Sequence, residues 1–140
     1  MPFVNANAAP LVPGGPAIEH AINAGKLRIA LAEFTFASDA TGTYAIPEMI
    51  FQPGQRIIEL AANPSVSLGT AQFALGITGT VDKYRAAATL TATNQWTIFA
   101  LNAAMGVRLT AREPLIMTTS VAALPASGRM LLRALFVDNT

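Results

Sequence analysis

From residue 27 onward, apolar and polar positions alternate with a period of two, and the runs are short. The stretch LRIALAEFTF (27–36) places Leu27, Ile29 and Leu31 on one face and then ends in the β-favouring Phe34, Thr35 and Phe36. SDATG reads as a turn, and TYAI (43–46) as a short strand that stops before Pro47. EMIFQPGQRIIELAA predicts a short strand, a turn at Pro53-Gly54 and a further strand around Ile57 to Ala61. In TAQFALGI (70–77), Phe73, Leu75 and Ile77 share one face. AAATLTAT and QWTIFAL follow on either side of Thr93-Asn94, then VRLTA, a break at Arg112-Glu113-Pro114, LIMTTSVAAL, the turn PASG, and RMLLRALFV (129–137). Roughly eight to ten strands at this spacing predict an all-β domain over residues 26–140, an antiparallel β-sandwich or jelly-roll-like barrel rather than alternating βαβ units.

Residues 1–25 break the pattern. Pro2, Pro10, Pro13 and Pro16, with Gly14 and Gly15, forbid a helix or central strand over the first 16 residues. This segment reads as an extended N-terminal arm with a reach on the order of 50 Å, enough to cross to an adjacent subunit. Phe3, Val4, Leu11 and Val12 are too apolar for a purely solvated tail, which makes them candidate contacts with a neighbour. Residues 17–24, AIEHAINA, fit a short helix between Pro16 and Gly25, with Ile18 and Ile22 four apart; the same residues also alternate as a strand.

The final strand is apolar on both faces. Met130, Leu132, Ala134 and Phe136 form one, while Leu131, Leu135 and Val137 alternate with Arg129 and Arg133 on the other. A strand with one solvated face would be polar at every second position. Leu131, Arg133 and Leu135 are therefore candidate interface residues, together with the arm.

Composition sharpens that expectation. Only 12% of the 140 residues are charged against 52% hydrophobic, where an ordinary soluble domain has about 25% charged. Membrane insertion is one explanation, but no run reaches the roughly 18 apolar residues of a spanning helix. Burial against other protein is the better one. The net charge of +1, with nine basic residues scattered along the chain, gives no expectation of nucleic-acid binding. The N-terminus has neither a basic n-region nor a continuous apolar h-region, so no signal peptide is expected and synthesis in the cytoplasm is.

The chemistry of catalysis is missing from the sequence pattern. There is no cysteine, and the single histidine, His20, sits between the arm and the first strand. No serine lies in a GxSxG elbow, no metal-ligand spacing occurs, and no catalytic, cofactor or small-molecule site is expected. The densest charge cluster, GITGTVDKYRAA (76–87), lacks the glycine spacing and Lys-Ser/Thr ending of a phosphate loop. It reads as a solvated bend between two strands, with Gly76 and Gly79 giving backbone freedom, Asp82 capping the turn and Tyr84 returning to the core.

The segments PGQRIIEL, SLGTAQFALGITGTVDKY, GVRLTA and LIMTTSVAALPASGRMLLRALFV, spanning about residues 50–137, resemble the strand order of small β-sandwich virion proteins of tailed bacteriophages. Head decoration (cement) proteins are the most similar group. The resemblance implies a non-enzymatic structural subunit on the capsid exterior that binds the major capsid protein lattice, often as a trimer. It carries over no catalytic residue. Alternatives are a tail, connector or fibre-base subunit of the virion and, from a different class, a carbohydrate-binding module. The last would display aromatic platforms, and the chain has one tryptophan, Trp96.

Overall fold

Period-two alternation produces eight strands in the computed structural model, which describes residues 27–99 and 103–138. They are β1 (Leu27–Thr35), β2 (Gly42–Phe51), β3 (Gln55–Pro64), β4 (Gln72–Ile77), β5 (Thr80–Thr89), β6 (Thr97–Ile98), β7 (Glu113–Ser120) and β8 (Arg129–Asp138). All pairing is antiparallel, in two four-stranded sheets of order β1-β8-β3-β6 and β2-β7-β4-β5. The architecture is a β-sandwich. The arm and the proposed helical turn at 17–24 lie outside the described residues.

One core lies between the sheets. Ile57, Leu60, Met130 and Leu132 from the first sheet meet Phe73, Leu75, Leu115 and Met117 from the second, all essentially without solvent contact. Phe51 of β2 and Phe136 of β8 meet edge to face at 5.1 Å, which ties the sheets together at one end. Connections are clamped by backbone bonds such as Phe36 N to Gly128 O (2.8 Å) and Ser65 N to Arg129 O (2.8 Å).

Three sequence expectations change. Pro47 does not end a strand: β2 runs from Gly42 to Phe51, and the register shifts between Ala45 and Ile50. An edge strand tolerates this, because a bulge on an edge needs no donor from the proline nitrogen. VRLTA forms no strand; it contributes one bridge, Arg108 opposite Arg56. Arg112-Glu113-Pro114 is not a break, since β7 starts at Glu113 with Pro114 in its second position, where a missing donor is tolerated.

The stretch 76–87 is a hairpin rather than a solvated bend. Thr78-Gly79 makes the turn, with Gly79 at φ 93°, and the charged residues lie on β5 beyond it. Asp82 is exposed on the strand, three residues past the turn, rather than capping it. Between the pairs Leu75–Arg85 and Ile77–Thr80, β4 advances by two residues and β5 by five, so β5 bulges. The bulge lies over Gly76, whose α-carbon faces the backbone of Thr80 and Val81.

Candidate functional site

The bulge brings Lys83 and Tyr84 to β7, although β4 lies between β5 and β7 in the sheet. Tyr84 Oη donates to Glu113 Oε1, and Lys83 Nζ donates to Glu113 Oε2 as an ion pair. Burial is the main cause that pushes the Tyr84 hydroxyl above its ordinary range; the hydrogen bond to the Glu113 carboxylate and its charge add to it. The phenol therefore stays protonated and donating. Arg85 stacks over Phe73 (4.4 Å) and Phe99 (4.3 Å) and donates to the carbonyls of Phe73, Ala88 and Thr89, with burial lowering its pKa from the usual arginine value. Every cation of this stretch is engaged in holding strands together. Glu113→Ala is expected to cost about 2–3 kcal/mol, because it strands the buried Tyr84 hydroxyl and removes the partner of Lys83. Urea unfolding of the two proteins measures this, and Tyr84→Phe loses less, about 1 kcal/mol.

A second candidate is the outer face of sheet β1-β8-β3-β6. The register sets out its rows. Leu27, Val137, Arg56 and Arg108 lie across one end. Next come Ile29, Leu135 and Glu59, then Leu31, Arg133, Ala61 and Ile98, then Glu33, Leu131 and Asn63. Leu27, Ile29 and Leu31 are 54%, 65% and 53% exposed, and Ile98 is 58% exposed. The candidates Leu131, Arg133 and Leu135 all fall on this face and are half-buried within it. Phe3, Val4, Leu11 and Val12 are outside the described residues.

Charge on this face is largely neutralised from within. Arg133 is bonded to Glu59 at 2.6 Å and stacks over Trp96 at 4.4 Å, and Arg129 lies 3.7 Å from Glu33. The Trp96 ring thus meets a guanidinium of its own chain instead of standing free as a sugar platform. The Arg133 Nε is buried with no hydrogen-bond partner. β1 is also an edge strand, so one rim of the same face has backbone groups unpaired within the described sheet.

The sequence groups Leu27, Ile29 and Leu31 on one face but does not show that this face points outward. The larger apolar set of a strand normally faces the core; here the smaller set, Ala30, Ala32 and Phe34, faces inward and the larger set faces out. That inversion was the available signal. Among the described residues, no group of three or more acidic, histidine or cysteine side chains is placed to hold a metal ion.

No protein-family model matches the chain, and no curated protein is similar to it in sequence. Its fold is similar to solved structures. A chain in the acidic stable capsid structure of Helicobacter pylori bacteriophage KHP30 superposes with a TM-score of 0.60 at 15% identity, covering 81% of this chain and 89% of that one. A chain in the cyanophage Pam1 capsid asymmetric unit superposes with a TM-score of 0.62 at 10% identity, covering 79% and 82%. What this protein shares with both phage capsid chains, at these identities, is the fold.

Proposed function

We propose that the protein is a capsid decoration (cement) protein of a tailed bacteriophage, a structural subunit that sits on the capsid exterior, binds the major capsid protein lattice and stabilises the head. The observation that carries this reading is the outward row Leu27, Ile29 and Leu31 beside Leu135 and Val137, on an edge strand of a sandwich that shares its fold with two phage capsid chains. Burying the exposed halves of three such side chains contributes about 1 kcal/mol each, and hundreds of identical contacts around a shell add to head stability. Copies of the chain associate through this face into a homo-oligomer, and residues 2–16 provide the grip on the lattice through Phe3, Val4, Leu11 and Val12. The role needs no bond-making step, cofactor or metal.

The experiment is co-sedimentation with heads that lack this protein, prepared from the phage that encodes it. The full chain pellets with heads in hundreds of copies, while a chain lacking residues 2–16 remains folded and stays in the supernatant. A full chain that ignores heads and labels tails or connectors in electron micrographs would replace this reading with the tail or connector one.

A further inference from the structure

The row at the end of the outer face contains an arrangement that packing alone does not favour. Arg56 on β3 and Arg108 on the segment 103–110 stand directly opposite each other in an antiparallel bridge, both exposed. Leu109 N donates to Gln55 O (2.9 Å), the bond that flanks such a pair, so the two arginines form a non-hydrogen-bonded pair with Cα atoms ~4.5 Å apart and side chains on the same side. Like charges placed this way destabilise a sheet. Neither guanidinium has an acidic, carbonyl or aromatic partner among the described residues, whereas Arg28, Lys83, Arg129 and Arg133 each have a carboxylate.

The juxtaposition is held in place. Gly106 N donates to Ile57 O (2.7 Å) and Gly54 N to Leu109 O (2.8 Å), so two backbone bonds in addition to that of Leu109 fasten this segment to the start of β3. Arg112 is exposed on the same connection. Arg108, though not Arg56, also lines a cleft of about 240 Å³ with Ala104, Val107, Leu109 and Thr110, where Lys83 and Glu113 form the polar wall. Continuing along the row from Arg56, the surface becomes apolar at Val137 and Leu27.

We infer that Arg56 and Arg108 form an anion-binding pair for an acidic protein segment whose carboxylates meet the two guanidiniums. Two parallel forks suit carboxylates, which accept paired N–H bonds. A nucleic acid fits less well: its binding rests on many phosphate contacts and on free aromatic faces for stacking. Here Arg112 is the only further exposed cation on this connection, and no aromatic side chain lies in the row.

The test uses the full chain, a fluorescein-labelled octaglutamate peptide and, in parallel, an octathymidylate oligonucleotide. Octaglutamate binds saturably and weakens several-fold when salt is raised from ~50 to ~300 mM. Arg56→Gln with Arg108→Gln lowers its affinity by about tenfold or more. The same double variant melts at the same temperature as the parent or higher, because it relieves repulsion. Peptide binding that the double variant leaves intact, tighter binding of octathymidylate than of octaglutamate, or a lowered melting temperature would each overturn the inference; the last would make the pair a structural stack.

Discussion

Replacing Ile29 and Leu31 together with lysine leaves a folded domain and weakens self-association of the chain by about 100-fold. Both side chains are more than half exposed and project from an edge strand away from the core, so the substitution leaves no cavity and exposes no new apolar surface. Stability should therefore change by no more than about 0.5 kcal/mol, as for other surface positions. In the bound state the same two positions lose apolar burial of about 1–1.5 kcal/mol each, and the ammonium groups must be kept wet within a contact that excludes water. About 2.8 kcal/mol corresponds to the 100-fold change. Matched urea-unfolding curves and sedimentation-equilibrium measurements of the oligomer check the two halves. Loss of folding, or self-association equal to the parent, would be the contrary result. Exposed core-type residues with no assembly role would give the second of these.

Gly76→Ala has the opposite signature: it severely destabilises the fold. The β-carbon it adds would lie 2.2 Å from Thr80 O, 2.5 Å from Val81 C and 2.6 Å from Val81 O, all of them backbone atoms. These atoms belong to the β5 bulge, which brings Lys83 and Tyr84 to Glu113, so they cannot withdraw without breaking that cluster. Rearranging the bulge unseats the fully buried Tyr84 from the core as well. The cost exceeds about 4 kcal/mol, a large share of the 5–15 kcal/mol that holds a domain of this size together. Circular dichroism and urea unfolding read it directly. A variant with native unfolding behaviour would mean that the bulge does not pass over Gly76.

These two positions also mark where the sequence could and could not be read. The all-β class, the turns at Pro53-Gly54 and PASG, and the inward face Met130, Leu132 and Ala134 of the last strand follow from alternation and turn chemistry, because each is a local property. The half-apolar second face of that strand, read as a candidate interface, is the outer face of its sheet, where Leu131, Arg133 and Leu135 lie half-buried. The β1 face was not assigned because alternation gives grouping but not direction: Leu27, Ile29 and Leu31 look like a core set until β8 is paired beside them. Gly76 was legible as a glycine with a reason, but the reason is close approach of the bulged backbone four and five positions on, at Thr80 and Val81, not freedom in φ. The Arg56–Arg108 pair joins residues far apart in the chain, so basic residues that are scattered in sequence become opposed only after folding. The same holds for Glu113, which read as part of a break and proves to be the acceptor that ties β7 to the β5 bulge.

An electron cryomicroscopy reconstruction of heads to which the purified full chain has been added back shows directly where the sandwich sits and which face it buries. The expected density is a sandwich on the outside of the shell, with the outer face of sheet β1-β8-β3-β6 buried and Ile29, Leu31 and Leu135 inside a protein contact. Density in which that face points to solvent while sheet β2-β7-β4-β5 makes the contacts, or shells with no added density, would contradict it.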